Sequence, residues 1–351
     1  MRKQRRILAA LAAARAIFSA AAGETVSSDI LSASELETEE IMLNGEEAVT
    51  EKDGWTFNRK GFLTGENPGD AYLLEDDENG IWQYSTRDLS IRVTRFREKE
   101  MKNIREYCVA EVYATEQSPL FAIMTREPET SPRPHGYRQI YPEELVKREP
   151  AMLAMSDDYY GYRQWTRDTK GSTWPMGIII RNGEIFYRKT RDSSKKRPFP
   201  PLDTLAVYGD GSMKTYLCDE LTAEEYIEQG ATQVFSFGPW LIRDGEINET
   251  EAGEKAVYLN YAEPRAAIGM VEPYHYILVV VGIPSDKYIG AKGDWLIAKM
   301  QEYGCTEALN LDGGGTASMV FNGKVIIHGR WTKEQRTLGS MIAFGALDSL
   351  P

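Results

Sequence analysis

Three dipeptides of the type Asn-Gly or Asp-Gly, each between two short apolar segments, most strongly limit how this chain can fold. They are Asn182-Gly183, Asp244-Gly245 and Asn322-Gly323. Both residues of a two-residue β-hairpin turn need positive φ angles, which Asn, Asp and Gly adopt most readily. The flanking segments, such as Gly177–Ile180 and Glu184–Tyr187, are rich in residues that favour strands. The pattern predicts three hairpins and largely antiparallel pairing.

The rest of the chain has the periodicity of a protein with more strands than helices. Leu89–Val93 alternates as a half-buried strand does, and Tyr107–Tyr113 is an apolar strand candidate. Tyr141–Leu145 has a proline where a short helix would begin, Thr222–Glu225 has the residues of a capping box, and Asp294–Tyr303 predicts a third helix. We therefore expect an α+β fold, with a mixed, largely antiparallel β-sheet, hairpins and a few packed helices in a single domain.

The N-terminal part of the chain differs from the rest in composition. It begins with a basic segment, and Ile7–Ala22 is mostly Ala, Leu and Ile, which is the pattern of a secretory signal peptide, although Arg15 interrupts it. An Ala-rich cytosolic helix is the alternative. We predict a signal peptide or N-terminal membrane anchor at residues 1–23, an acidic flexible linker at 24–69 and the folded domain at 70–351. The protein would then be exported, extracellular or associated with the cell envelope, with membrane contact only through the N-terminal segment.

The net charge of −12 and its distribution argue against one class of partner. Glu24–Asp53 contains ten acidic residues and one basic residue, Lys52, so the remaining chain is close to neutral. An acidic protein does not favour non-specific binding to nucleic acid or to an anionic membrane surface. Cys108, Cys218 and Cys305 are far apart, so we expect three buried free thiols and neither a zinc site nor a disulfide framework.

A run of three glycines is the strongest candidate for a functional loop. Gly313, Gly314 and Gly315 directly follow an apolar strand candidate, in Asn310–Ser318. Glycine allows unusual backbone angles and close approach of a ligand to the main chain, and successive N–H groups there could bind an anion. Asp312 lies at the end of the strand, where its carboxylate could serve as an acid, a base or a ligand.

Three further segments carry polar residues or turns beside apolar runs. Asp157 and Asp158 come directly after Ser156 at the end of an apolar stretch, where a solvated turn is the alternative. Arg265 follows a proline at the start of an apolar strand. Its guanidinium suits bidentate contact with phosphate, and a surface salt bridge is the alternative. Gly238 lies in a turn that enters a strand.

These segments, in this order, resemble the phosphodiester glycosidase family, and the exported bacterial branch is the nearest match. The resemblance covers roughly residues 80–345. It rests on the segment with Asp158, the Phe-Gly-Pro strand with Gly238, the Pro-Arg strand with Arg265 and the triple-glycine loop. It implies a hydrolase that cleaves a sugar from a phosphodiester in exopolysaccharide or cell-envelope glycans. The implied partner is a sugar phosphate or glycan, and no cofactor is implied.

The resemblance also implies roles for individual residues. Asp312, Asp158 and Arg265 are the expected catalytic residues. The expected substrate-binding residues are Gly313, Gly314, Gly315, Thr316, Ser156, Asp157, Gly238 and Arg336. In the implied mechanism, an arginine and main-chain amides hold the phosphate, while carboxylates stabilise an oxocarbenium-like sugar and activate water.

The chain departs from the family pattern at several positions. Ala266 stands where we expect threonine, and Val281 and Ile283 stand where we expect an acid and a base. The other departures are Ser156, Asp157, Tyr288, Ile327, Ser340 and the segment Thr316-Ala317-Ser318, where we expect Ser-Ser-Thr. Loss of one group that stabilises a transition state lowers a rate by about two to three orders of magnitude. The alternative function is therefore a catalytically weak or inactive protein that binds a glycan or sugar phosphate.

A further alternative is a divalent-cation site. Asp157, Asp158 and Asp312 offer oxygen ligands of the kind that Ca²⁺ and Mg²⁺ prefer, although the sequence contains no ligand run like that of an EF-hand.

Overall fold

The turn signals produce the hairpins that the sequence predicts. The computed structural model describes residues 39–41, 49–125, 140–157, 177–188, 202–248, 257–330 and 335–348. Asn182, Asp244 and Asn322 have positive φ angles, as does the glycine after each, and each dipeptide connects two antiparallel strands. The three hairpins are therefore confirmed. A fourth hairpin with an Asn-Gly or Asp-Gly turn, which was not predicted, lies at Asp53-Gly54, where φ is 50° and 80°.

The described part of the chain is made mostly of short strands. In chain order they begin with β1 (Glu39–Ile41), β2 (Val49–Lys52), β3 (Trp55–Asn58), β4 (Tyr72–Asp76), β5 (Ile81–Ser85), β6 (Ser90–Glu100), β7 (Asn103–Tyr113), β8 (Phe121–Met124), β9 (Ala151–Ser156), β10 (Ile179–Arg181) and β11 (Glu184–Tyr187). They continue with β12 (Asp203–Tyr208), β13 (Met213–Tyr216), β14 (Ala231–Phe237), β15 (Trp240–Arg243), β16 (Glu246–Ile247), β17 (Arg265–Glu272), β18 (His275–Gly282), β19 (Glu307–Leu311), β20 (Ser318–Phe321), β21 (Lys324–His328) and β22 (Ser340–Ala346).

Three sheets contain most of these strands. Sheet I has nine strands, in the order β16-β15-β19-β17-β18-β7-β6-β5-β4. Sheet II has the order β21-β20-β9-β22-β8, and sheet III has the order β11-β10-β14-β12-β13. Every pairing within the three sheets is antiparallel. The predicted α+β class with largely antiparallel pairing is confirmed, and the strands are divided among several sheets.

Each of the three large sheets is covered by one α-helix of the described chain. The helices are α1 (Pro142–Arg148), α2 (Ala223–Glu228) and α3 (Gly293–Glu302), and a 3₁₀ helix spans Val257–Asn260. Leu145 of α1 packs on sheet II, Tyr226 of α2 on sheet III and Met300 of α3 on sheet I. All three predicted helices are present: α1 begins at a proline and α2 at a capping box, whereas α3 begins after Lys292 without a side-chain cap.

The capping box at the start of α2 forms as predicted. The Thr222 hydroxyl accepts a hydrogen bond from the Glu225 N–H, and the Glu225 carboxylate accepts one from the Thr222 N–H. These two bonds satisfy N–H groups that have no partner within the helix, and they fix where the helix begins.

The main apolar core takes side chains from all three sheets. Strand β18 shows how sheet I contributes to it. Leu278 and Val280 point into this core, whereas Val279 and Val281 belong to a second apolar cluster with α3. A strand that is buried on both faces has a continuous hydrophobic sequence, and this explains the run of apolar residues in β18.

The folded part of the chain begins earlier than the sequence suggested. Strands β2 and β3 pair around the Asp53-Gly54 turn, and Phe57 and Leu63 are buried against Tyr72. Glu40–Pro351 forms one compact unit. The expected boundary at residue 70 is too late, because the segment expected to be a flexible linker, residues 24–69, contains this hairpin and its buried apolar residues.

The predicted signal peptide or anchor lies outside the described residues. No helix within the described ranges is long and apolar enough to cross a membrane.

The three cysteines are free thiols, as expected. Burial raises the pKa of Cys108 and of Cys305 to about 12, so both stay protonated and unreactive near neutral pH. Cys218 is only partly buried, and the expectation that all three are buried was wrong for this residue. It follows β13 at the edge strand of sheet III, where one side is open to solvent.

Candidate active site

A cleft of about 330 Å³ lies at the start of β17 and the end of β19. Its described lining residues are Phe237, Tyr261, Glu263, Arg265, Asp312, Gly313, Gly314 and Arg336. Two of the three predicted catalytic residues, Arg265 and Asp312, therefore lie in one cleft with three predicted binding residues. The third predicted catalytic residue, Asp158, lies outside the described residues.

Strand pairing brings the arginine and the aspartate together. Strands β17 and β19 are antiparallel neighbours, and Ala266 lies opposite Leu311. Arg265 precedes Ala266, and Asp312 follows Leu311, so both lie where these two neighbouring strands of sheet I meet the same loop region. The Arg265 guanidinium is nearly buried and is oriented by two main-chain carbonyls. Its Nε donates to Ala291 O at 2.9 Å and its Nη2 to Tyr261 O at 2.7 Å.

Gly313 of the glycine loop, and Gly329 beside the loop, pack too tightly against their neighbours to accept larger residues. The Gly314 N–H donates to Pro264 O at 2.9 Å, and Gly314 has a φ of +59°. A Cβ atom on Gly313 would lie 2.4 Å from Pro264 O, and one on Gly329 would lie 1.7 Å from Gly314 O. The sequence predicts that successive N–H groups of this loop bind an anion. The Gly314 N–H is not available for that role, because it already donates to Pro264 O.

A chain of hydrogen bonds orients the carboxylate of Asp312. Arg336 Nη1 donates to Thr316 Oγ1 at 3.0 Å, and Thr316 Oγ1 donates to Asp312 Oδ2 at 3.3 Å. A Cβ atom on Gly315 would lie 3.1 Å from Arg336 Nε, so the third glycine leaves room for this arginine. Thr316 is buried, and its place in this chain makes it a positioning residue for Asp312.

Ser156 and Asp157 are not among the described residues that line the cleft. The Asp157 carboxylate is buried and accepts hydrogen bonds from Arg181 Nη2 at 2.9 Å and from the Ser340 hydroxyl. The Asp157 main-chain oxygen accepts from the Asp312 N–H at 3.3 Å. Ser156 Oγ accepts from the Ser318 N–H at 3.1 Å. In these described contacts, both residues support the strands that carry the site.

Gly238 also acts through its main chain. It has a φ of +92°, and a Cβ atom there would lie 2.9 Å from Asp203 Cβ. Its N–H donates to Asn310 O at 3.0 Å, and its carbonyl accepts from Asn310 Nδ2 at 2.8 Å. These contacts fix the chain beside Phe237, and it is Phe237 that lines the cleft.

The sequence analysis did not assign a role to Tyr261, Glu263 or Arg181. Tyr261 and Glu263 lie within four residues of Arg265 in the sequence. Their closeness to a candidate anion-binding arginine is the sequence feature that could have marked them as site residues. Arg181 precedes the Asn182-Gly183 turn, and only the fold reveals that it reaches Asp157.

The charged group that contacts Asp157 does not favour binding of a divalent cation there. Its carboxylate contacts the guanidinium of Arg181, which would repel a metal ion. Elsewhere in the described chain, no group of three or more His, Cys, Asp or Glu side chains could hold one. The cleft itself has two arginines, Arg265 and Arg336, and two carboxylates, Asp312 and Glu263.

A comparison with protein families decides the family of this chain. The family model described as phosphodiester glycosidase matches residues 153–345, which is more than half of the chain. The chain belongs to the phosphodiester glycosidase family. The matched segment contains all four predicted motif regions and all of the described residues that line the cleft.

Solved structures share the fold of this phosphodiester glycosidase family member. One is the catalytic domain of zebrafish N-acetylglucosamine-1-phosphodiester alpha-N-acetylglucosaminidase, auto-inhibited by its pro-peptide. It matches with a TM-score of 0.54 and 17% identity, over 80% of this chain and 90% of that chain. A hypothetical protein from Synechocystis matches with a TM-score of 0.51 and 11% identity, over 80% of this chain and 69% of that chain.

One curated relative shares part of the sequence. The SPbeta prophage-derived uncharacterized protein YomE of Bacillus subtilis (strain 168) is 29% identical over 151 residues, which are 43% of this chain and 22% of that protein. The match spans about a fifth of the length of that relative.

One departure from the phosphodiester glycosidase pattern has a structural explanation. Val281 lies directly opposite Arg265 in the β17–β18 pair and is fully buried in the apolar cluster with α3. Ile283 donates its N–H to Gly329 O at 2.8 Å, which connects the end of β18 to the segment under the glycine loop. Val281 therefore contributes to packing with α3, whereas the contact of Ile283 is made by its main chain and leaves that departure without a structural explanation.

We predict that Gly329→Ala disturbs the glycine loop. A methyl group there would overlap the Gly314 carbonyl, so we expect the free energy of unfolding to fall by about 1–3 kcal/mol. Denaturant unfolding measures this change. Gly209→Ala is the matched control, because a Cβ atom there would have no neighbour within 4 Å and Gly209 has no positive φ. Equal stability of the two variants would contradict the prediction.

We predict that Arg181→Met destabilises the protein by about 3–5 kcal/mol, because it leaves the buried Asp157 carboxylate without its cation. The control is Arg188→Met, which removes an exposed ion pair with Glu224 and should cost about 0–1 kcal/mol. Thermal and denaturant unfolding compare the two variants. A smaller loss in Arg181→Met than in Arg188→Met would show that the buried pair does not support the site.

We predict a loss of stability below neutral pH that depends on His328. Burial lowers the pKa of His328 below its ordinary value of 6.5. The unfolded chain therefore binds this proton more readily, and the free energy of unfolding decreases as the pH falls through about 6.5. Unfolding measured from pH 7.5 to pH 5.5 should show a weaker dependence for His328→Gln. An unchanged pH profile in the variant would contradict this prediction.

Proposed function

We propose that this protein hydrolyses a sugar-1-phosphodiester, as a phosphodiester α-glycosidase that acts on exopolysaccharide or cell-envelope glycans. The observation that carries the proposal is the convergence of Arg265, Asp312 and Arg336 with the glycine loop in one cleft. Membership of the phosphodiester glycosidase family supports the reaction class.

The residues of the cleft suit the two halves of such a substrate. The guanidinium groups of Arg265 and Arg336 have the shape and charge for a phosphate group. Asp312 is oriented through Thr316, and its carboxylate can stabilise positive charge on the anomeric carbon or activate water. The leaving phosphate is already anionic, so the reaction depends less on a strong general acid than cleavage of an ordinary glycoside does.

A second candidate function is binding without efficient catalysis. Val281 and Ile283 favour it, because these apolar residues stand where the family pattern leads us to expect an acid and a base. A protein that keeps the phosphate-binding groups but lacks part of the catalytic set would retain a sugar phosphate and turn it over slowly.

We propose that the protein acts outside the cytoplasm. The basic and apolar pattern of residues 1–23 supports export, and the acidic stretch that follows would separate the folded unit from a membrane surface.

We predict that Asp312→Asn lowers the rate of sugar release by about two to three orders of magnitude without unfolding the protein. The measurement is release of free sugar by the purified protein from UDP-N-acetylglucosamine and from a panel of sugar-1-phosphodiesters. The control is Asp88→Asn, which changes an exposed aspartate outside the cleft and should have no effect.

The outcomes separate the two candidate functions. Sugar release that depends on Asp312 supports the glycosidase. Release at an equal rate in Asp312→Asn contradicts the proposed role of this residue. Binding of a sugar phosphate with no release across the panel supports the binding protein.

A further inference from the structure

We propose that Tyr261 and Glu263 form the sugar-binding part of the cleft and select an uncharged sugar. This inference rests on the proposed function, because it assumes that Arg265 and Arg336 hold the phosphate of the same ligand. Tyr261 and Glu263 line the cleft beside these arginines, and neither was assigned a role from the sequence.

Tyr261 presents an exposed aromatic ring next to a fixed cation. Its residue surface is 62% exposed, and its main-chain oxygen accepts a hydrogen bond from Arg265 Nη2 at 2.7 Å. The hydrogen bond holds the main chain of Tyr261 in place while its side chain contributes little to the core. A flat ring of this kind offers an apolar surface to the C–H groups of a sugar and a hydroxyl for hydrogen bonding.

The main chain of Glu263 is held rigidly. Glu263 and Ala291 exchange two main-chain hydrogen bonds, of 3.2 and 2.9 Å, and the same Ala291 carbonyl accepts from Arg265 Nε. A Cβ atom on Gly290 would lie 2.3 Å from the carbonyl carbon of Glu263, so only glycine permits this close approach. The segment at Gly290-Ala291 thus fixes Arg265 and Glu263 relative to each other.

The carboxylate of Glu263 forms an ion pair with Arg330 at the cleft. The two side chains are 42% and 34% exposed, and ion pairs in such surroundings contribute little to stability. The pair instead fixes the direction of a carboxylate in a site that also contains two arginines. A ligand group beside Glu263 can donate hydrogen bonds to the carboxylate, but a negatively charged group there would compete with Glu263 for Arg330.

These observations define the chemistry of the ligand. Its phosphate requires cations, and the adjacent group requires an aromatic face and a hydrogen-bond acceptor. A neutral hexose or N-acetylhexosamine joined through its anomeric oxygen to phosphate meets all three requirements. A uronic acid in the same position would bring a carboxylate close to Glu263.

The test compares binding of three probes by calorimetry: inorganic phosphate, glucose 1-phosphate and glucuronic acid 1-phosphate. We expect the protein to bind glucose 1-phosphate more tightly than the other two. Tyr261→Ala should weaken glucose 1-phosphate roughly five- to tenfold and leave inorganic phosphate within twofold, whereas Tyr261→Phe should retain most of the affinity. Tyr141→Ala is the control, because Tyr141 is an exposed tyrosine outside the cleft.

The role of Glu263 has a separate readout. Glu263→Gln keeps the size of the side chain and removes its charge, so it should reduce the preference for glucose 1-phosphate over glucuronic acid 1-phosphate roughly tenfold. Glu224→Gln, which removes a carboxylate from an exposed ion pair outside the cleft, should leave the preference unchanged. A residue that only supports the fold would change all affinities together and would not alter the preference.

Each outcome supports or overturns the proposal. Phosphate binding with no preference for glucose 1-phosphate would overturn the sugar-binding role and leave the proposed phosphate-binding role standing. Equal behaviour of Tyr261→Ala and Tyr141→Ala, or an unchanged preference in Glu263→Gln, would overturn it as well. Failure to bind any of the three probes would contradict both this inference and the proposed function.

Discussion

The pairing of β17 with β18 on one side and β19 on the other is the interaction on which the site depends. It brings Arg265 and Asp312 together at the adjoining ends of two strands of sheet I, although they are 47 positions apart in the chain. The pairing leaves little space between the strand ends, so Gly313 and Gly329 must lack side chains for the loop to fit. Gly313 is therefore a packing requirement, whereas Gly314 has open space around its Cα and is constrained by its positive φ.

Those parts of the fold that depend on neighbouring residues could be predicted from the sequence. The Asn322-Gly323 turn and the Thr222 capping box are examples, because each carries its own backbone preference or hydrogen bond within a few residues. The order of nine strands in sheet I could not be predicted, because it joins segments that no local signal connects. The hairpin at Asp53-Gly54 was missed because the surrounding charge resembled that of a solvated linker.

The sequence predicted those site residues whose side-chain chemistry and strand-end position were both visible in it. It did not predict which carboxylates the fold would bury. Arg265 and Asp312 were recognised from their positions at strand ends, and both line the cleft. Asp157 has the same chemical group as Asp312, but its carboxylate is buried and contacts Arg181. Tyr261 could not be singled out among many tyrosines, because its value lies in its exposure beside Arg265, and that is a property of the folded chain.

Val281 bears on the charge around Arg265, because it lies opposite this arginine and stands where the family pattern leads us to expect an acid. An acid there would lie directly opposite Arg265 and would form a buried pair like that of Asp157 and Arg181. Val281 adds no negative charge, and the carbonyls of Tyr261 and Ala291 orient the guanidinium without cancelling its charge. Under the proposed function, a phosphate group would therefore meet less negative charge beside Arg265, and its ground state would bind more tightly. Equal strengthening of ground state and transition state raises affinity and does not raise kcat. Under that function, the same substitution would favour retention of a sugar phosphate and would remove a candidate catalytic group, so one cleft accommodates both proposed functions.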